Sequence, residues 1–486
     1  MTSLYQINTR VTLTERARSL GRPATLDDFA DTELDRLAAL GFDWIWLLSV
    51  WQTGDAARAV SRSNALWRQE FEHTLPDLRD EDIEGSGFAI TNYTVHRDLG
   101  GPEALARLRA RLAARGLRLM LDFVPNHMAP DHPWVDEHPD YFVSGSAADL
   151  LRARQNYCQV KTQAGTRVFA HGRDPYFDGW PDTLQLNYGS PELCRAMQGE
   201  LARIATQCDG VRCDMAMLIL PEIFERTWGV RAEPFWPAAI EAVRRAQPRF
   251  VFMAEVYWDL EWRLQQEGFH YTYDKRLYDR LHEQHARPIR EHLCAPMEYQ
   301  EKMARFLENH DEPRAAVAFP PSVHSASAVL TYLAPGLHFF HDGQLEGRRT
   351  RISPHLVRRP DEAADVQTRE FYSRLLSALR HPALREGRWS LLECVRAWDG
   401  NGTCDDFIAF RWESAALEWL CVVVNYSAHA SQCFVRMPAQ LSGSVRFQDL
   451  LTSAVYDRDG ADLANRGLYI DMPAWGCHVF EVRSIP

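Results

Sequence analysis

Long apolar runs are missing from this 486-residue chain: no stretch reaches the roughly 20 residues that a membrane-spanning helix needs, so no membrane partner is expected. The first residues, Met1-Thr2-Ser3-Leu4-Tyr5-Gln6-Ile7, lack a basic segment followed by an apolar one, so they read as no secretory signal and a cytoplasmic location is expected. The ten Cys are scattered, with no C-x-x-C pair and no zinc-like Cys/His spacing, which fits reduced, buried thiols. Positive charge is short as well: 54 Lys and Arg stand against 66 Asp and Glu, for a formal net charge of −12. Phosphate binding needs a basic face, so a nucleic-acid partner is not expected. Neither H-E-x-x-H nor H-x-H occurs, which removes the usual zinc-hydrolase patterns. Gly85-Ser86-Gly87 does not make the G-x-S-x-G elbow of a serine nucleophile, and no EF-hand loop is present. What remains is carboxylate chemistry on a neutral ligand.

An apolar fraction of 46% and a charged fraction of 25% suit a globular protein. Up to about residue 390, short apolar runs alternate with helical patterns. Residues 4–8 read as a first strand and 31–40 as an amphipathic helix stopped by Gly41, which tolerates positive φ. Residues 43–48 are apolar almost throughout, as in a strand buried on both faces. Helix 102–115 starts on Pro102, aligns Leu105, Leu108 and Leu112 on one face, and stops at Gly116. Further strands are expected at 117–123, 210–214, 250–255, 269–273, 305–310 and 336–340. Eight such alternations predict an α/β fold, a closed (β/α)8 TIM barrel.

Two intervals are too long for simple connections, 49–100 and 128–187. Both follow the C-terminal end of a strand, where barrel enzymes keep their sites. After residue 391, short β-like runs at 407–412, 420–424 and 477–480 are separated by turn residues. The expected organisation is therefore a barrel over 1–127 and 188–390, a small inserted domain over 128–187, and a C-terminal antiparallel β-sandwich over 391–486.

Four polar clusters stand at predicted strand ends: Asp122-Phe123-Val124-Pro125-Asn126-His127, Gly210-Val211-Arg212-Cys213-Asp214, Ala254-Glu255-Val256 and Glu308-Asn309-His310-Asp311. Singly, each has a plain explanation. An Asp at a strand end caps the next helix, Arg212 neutralises a carboxylate, and His127 or His310 is a hydrogen-bonded core residue. In a closed barrel, however, the four strand ends converge on one mouth.

In this order, the clusters resemble the four signature regions of the α-amylase superfamily, glycoside hydrolase family 13. Three further segments support the resemblance: Gly87-Phe88-Ala89-Ile90-Thr91-Asn92-Tyr93, Trp180-Pro181-Asp182-Thr183-Leu184-Gln185-Leu186-Asn187, and the eighth-strand segment from Ala334 to Gly347. The resemblance covers the whole chain and implies a retaining mechanism. Asp214 would be the nucleophile and Glu255 the acid/base, their carboxyls about 5–5.5 Å apart. Glu255 would start protonated and Asp214 ionised. Arg212, two residues before Asp214 on one strand, shares its face and would hold it charged. Asp311 would bind sugar hydroxyls and favour ring distortion. His127 and His310 would donate to hydroxyls of the attacked sugar, Tyr93 would stack beneath it, and Asp122 would tie the site together through Arg212.

The implied activity is hydrolysis of α-glucosidic bonds in short α-glucans or α-glucosides through a covalent glycosyl-enzyme. The alternative is α-glucosyl transfer or phosphorolysis through the same intermediate. A non-catalytic sugar-binding protein on this fold would have lost the carboxylates. Met217 and Leu218 stand where many amylases carry Lys-His, so the usual acceptor-side polar contacts are missing. Asn126 retains one calcium-type position but also serves as a loop-capping amide; no cofactor or metal is expected. The charged stretch 49–84, with Trp51, Trp67 and Phe71, would wall off the donor side and turn a cleft into a pocket; otherwise it is a surface loop packed by its own aromatics. A pocket favours a disaccharide or short oligosaccharide as the partner.

Overall fold

Eight parallel strands close into a barrel in the computed structural model, which describes residues 1–415, 419–438 and 443–485. They are β1 (Thr2–Asn8), β2 (Trp44–Leu48), β3 (Arg118–Phe123), β4 (Gly210–Cys213), β5 (Val251–Ala254), β6 (Tyr271–Tyr273), β7 (Met303–Arg305) and β8 (Leu337–His341). Each pairs with the next in chain order, and β8 returns to β1 with Thr2 opposite Leu337 and Gln6 opposite His341. All five residues of β2 are buried, as a strand between barrel interior and outer helices requires. Register sets the chemistry: Arg212 on β4 lies directly opposite Asp122 on β3.

The seventh strand is shorter than expected. It ends at Arg305, and residues 306–311 leave the ladder. Side chains replace the strand hydrogen bonds there. Asn309 Oδ1 accepts from both Asp311 N and Glu312 N at 2.9 Å, and Glu308 Oε2 accepts from Ala315 N at 2.7 Å. The sixth strand also starts later, because Phe269 N still closes the preceding helix on Leu264 O.

The 49–100 interval is not a plain loop. Trp51–Thr53 pairs with Ile90–Val95, and between them lie two helices, Asp55–Ser63 and Ala65–Thr74. Asn64 caps the second helix, its Oδ1 accepting from Leu66 N and Trp67 N at 3.1 and 3.2 Å. Phe71, Leu75 and Ile83 pack with Leu356, so this helical pair is fastened to the segment after β8. The insertion after β3 is zipped at its base, where His127–Met128 pairs with Leu184–Gln185, and carries a hairpin of Tyr157–Thr162 with Gly165–Ala170.

In the C-terminal domain, a six-stranded and a three-stranded antiparallel sheet share one core, in which Phe407, Cys421 and Val423 meet Cys433, Val435 and Ile470. Its first strand, Arg388–Leu392, begins three residues before the expected boundary. Among the described residues, no helix is long and apolar enough to cross a membrane.

Candidate active site

Arg212 is the hub. Its strand is wholly buried, and its own side chain has no solvent exposure. Nη1 donates to Asp214 Oδ1 at 2.7 Å, Nη2 to Glu255 Oε2 at 2.7 Å, and Nε to the Tyr273 hydroxyl at 3.3 Å. Asp122 Oδ1 lies 3.6 Å from Nη1. Burial alone would lower the guanidinium pKa, but Glu255, Tyr273, Asp214 and Asp122 around it outweigh that and hold it well above its ordinary value. The rings of Trp46 and Phe88 flank it at 5.3 and 5.2 Å. One planar fork thus sets the two predicted catalytic carboxylates side by side.

The two carboxylates differ in their remaining contacts. Glu255 Oε2 also accepts from Met215 N at 2.7 Å, and the Tyr257 hydroxyl donates to Oε1 at 2.8 Å. Asp214 Oδ2 takes no hydrogen bond among the described residues, which leaves it open to the cavity. Burial pushes both carboxyls up while Arg212 pulls them down, and the net shift is upward for each. The like charge of Asp311 acts on both carboxylates, and Asp214 and Glu255 repel each other. That mutual repulsion favours a single proton on the pair, for which Glu255 offers two oxygens. Two donors already occupy Oε2, so the proton belongs on Oε1. Burial takes Asp122 up to about 7 against the pull of Arg212, and takes His127 and His310 down to about 3, so both imidazoles are neutral.

Asp214, Glu255, Asp311 and His127 line one cavity of about 300 Å³. Asp311 opens into it with its side chain 43% exposed. Arg212, Asp122 and His310 stand behind that wall. His310 stacks on Phe88 at 5.4 Å, its Nδ1 faces Gln6 Nε2 at 3.0 Å, and its Nε2 points to Asp311 Oδ2 at 3.1 Å. A larger hollow, about 540 Å³, lies at the opposite barrel end beside Arg118, Asp209 and Phe250, away from these carboxylates.

Tyr93 does not join the site. It is 2% exposed, and its hydroxyl donates to Val124 O at 2.9 Å and accepts from Val124 N at 3.0 Å. Pairing of Ile90–Val95 with Trp51–Thr53 turns the ring inward against Trp51. From this segment it is Phe88, in the turn just before that strand, whose ring lines the cavity. Met217 and Leu218 are likewise buried in the turn Ala216–Ile219 and do not line the cavity; Met215, at φ 42°, does.

Sequence reasoning assigned no role to Phe88, Trp180, Asp182, Tyr257 or His355, all of which line the cavity. Tyr257 follows Glu255 by two, the spacing that singled out Arg212. Trp180 and Asp182 lie within a quoted motif. Nothing local marks His355, which Trp67 covers at 4.7 Å and Ser61 Oγ holds at 2.9 Å.

Calcium takes about six to eight oxygen ligands. Around Asn126, Gln185 Nε2 instead donates to Asn126 O, Asn126 Oδ1 and Leu186 O at 2.9, 3.0 and 3.1 Å. Three acceptors around one nitrogen identify it as the NH2, so a donor sits where a cation would need oxygens. The residues around Asn126 do not fit calcium.

The family model described as Alpha amylase, catalytic domain matches residues 31–350. The α-amylase MalA of Haloarcula japonica is 26% identical over 395 residues, covering 78% of this chain and 49% of that protein. The α-1,4-glucan:maltose-1-phosphate maltosyltransferase of Burkholderia pseudomallei is 35% identical over 127 residues, covering 25% of this chain and 10% of that one. The chain therefore spans half or less of the length of these two curated relatives. In fold it is similar to the maltogenic α-amylase AmyB from Thermotoga neapolitana, with a TM-score of 0.70 at 16% identity over 100% of this chain and 99% of that one. With the family model matching well over half of its length, the chain belongs to the α-amylase family.

Proposed function

We propose that the chain hydrolyses α-glucosidic bonds of short α-glucans or α-glucosides with retention at the anomeric carbon. The supporting observation is the Arg212 fork, which sets Asp214 and Glu255 side by side at the wall of one cavity. Asp214 Oδ2 attacks the anomeric carbon as the glycosidic bond breaks, and Glu255 Oε1 gives its proton to the departing oxygen. This leaves a glycosyl ester on Asp214 and a carboxylate on Glu255. Glu255 then removes a proton from water, whose oxygen displaces Asp214. Asp311 binds hydroxyls of the attacked sugar, and Phe88 supplies an apolar face. The Trp67 wall suits short substrates.

A second reading passes the same intermediate to a sugar hydroxyl or to phosphate. It is favoured by the ring of Tyr257 beside Glu255 and by the likeness to a maltosyltransferase. Product analysis on α-linked disaccharides, maltooligosaccharides and sucrose, with and without phosphate, separates the two. Free sugar as the sole product supports hydrolysis; longer saccharides or a sugar phosphate support transfer. Undiminished turnover by Asp214→Ala would overturn both.

A further inference from the structure

The turn that closes the inserted domain presents a carboxyl that the mechanism above does not use. Residues 180–183 are fastened tightly. Trp180 N donates to Gly172 O at 2.8 Å and Thr183 N to Trp180 O at 3.0 Å. The Thr183 hydroxyl accepts from Gly172 N at 3.1 Å and donates to Trp180 O at 2.9 Å. Gly172 is pressed so close that a Cβ there would stand 2.8 Å from His127 Cβ and 2.7 Å from Thr183 Oγ1. The turn is therefore not free to swing its side chains elsewhere.

Asp182 sits in this turn, 3% exposed, and lines the cavity beside His127 and Trp180, whose rings are 5.2 Å apart. Its Oδ2 has no hydrogen-bond partner among the described residues. No Lys or Arg side chain is among the described residues lining this cavity. Asp214, Glu255 and Asp122 all share Arg212, and buried Glu308 has Arg314. Asp182 has no such cation among the described residues. Burying an unpaired carboxyl is costly, and a rigid turn that keeps one at a ligand cavity points to a ligand as the missing partner. The donors that a neutral saccharide brings are its hydroxyls.

We propose that Asp182 is a specificity-determining substrate contact, its carboxyl taking a hydroxyl hydrogen of the sugar seated against His127 and Trp180. The inference rests on the saccharide reading given above.

Burial without a countercharge also pushes the Asp182 carboxyl up to about 7. The other titratable groups lining the cavity are Asp214, Glu255, Asp311, Tyr257, His127 and His355, and burial holds the two imidazoles neutral at about 3. An acid whose folded pKa is raised costs stability as pH climbs from its unfolded value, and the full penalty is present above the folded value. The ligand-free protein therefore carries the full penalty near pH 8 and sheds it progressively as pH falls toward about 4.

Two measurements on Asp182→Asn test the assignment. In thermal unfolding without ligand, the variant melts above the wild type at pH 8, and the gap narrows steadily as pH is lowered toward 5. A lower Tm at pH 8 would show a structural role and overturn the proposal. On 4-nitrophenyl α-glucoside, kcat/KM falls by about tenfold or more, and on one of its 2-, 3-, 4- and 6-deoxy analogues the two proteins agree within about twofold. An equal loss on every analogue, or no loss on the parent, also overturns it. Wild-type failure to cleave any glucoside, together with a Tm gain for the variant, would count against the saccharide reading and not against a ligand at Asp182.

Discussion

Glu255 holds two assignments in one side chain. One oxygen is fixed by Arg212 and Met215, and the other faces Tyr257 and the cavity. Such a carboxyl moves a proton without moving itself. Replacing it with Gln keeps the shape and removes the proton. Turnover of an unactivated α-glucoside by Glu255→Gln is expected to fall by about 10²–10⁴-fold. Glucosyl fluoride, whose leaving group needs little protonation, should lose far less in its first step. If Glu255 is the acid, the wild type is expected to lose activity as pH rises through its elevated pKa, and the Gln variant should lack that alkaline limb on the fluoride. A limb that persists would move the acid to another residue. At this scale the sequence was most readable: Arg212 and Asp214 lie two apart on one strand, and strand geometry puts them on one face. Tyr93 and Phe88 were not separable in the same way. Which ring meets the cavity depends on pairing with Trp51–Thr53, some forty residues earlier in the chain, and no local pattern reports it.

Elements decide the depth of the cavity. Seven of the eight strands, all but β7, lie within a residue or two of their expected bounds, because apolar runs buried on both faces announce themselves. The seventh was misplaced, since Glu308 and Asn309 satisfy backbone donors by side-chain hydrogen bonds that a hydrophobic pattern does not show. The helical pair after β2 was hidden because its apolar residues serve a small satellite cluster with Leu356, nearly 300 residues away. That pair carries Trp67 against His355 at the cavity rim. Trp67→Ala is expected to open the rim. The ratio of kcat/KM for maltopentaose over maltose should then rise several-fold, with little change in kcat on maltose. An unchanged ratio would mean that other residues set chain length.

At the scale of the whole molecule, side-chain hydrogen bonds join one part to the next. Gln185 bolts the base of the insertion to Asn126, so excess EDTA is expected to leave both Tm and kcat unchanged, and added calcium to raise neither. A Tm drop in EDTA would reveal a bound metal elsewhere. The C-terminal domain is keyed onto the barrel by Tyr426. Its buried hydroxyl donates to Leu281 O at 2.7 Å, in helix Lys275–Glu283, and pairs with Ser327 Oγ at 2.8 Å, in helix Pro321–Leu333. One hydroxyl thus joins two barrel helices to the β domain, 99 residues after Ser327 in the chain. Tyr426→Phe keeps the ring against Trp475 but leaves a carbonyl and a hydroxyl short of a partner, at a cost of about 1–3 kcal/mol. Because these groups lie in helices outside the strands that carry the carboxylates, the loss should appear as a lower Tm with kcat and KM unchanged. A fall in kcat at constant Tm would instead mean that the β domain acts on the active site through these helices.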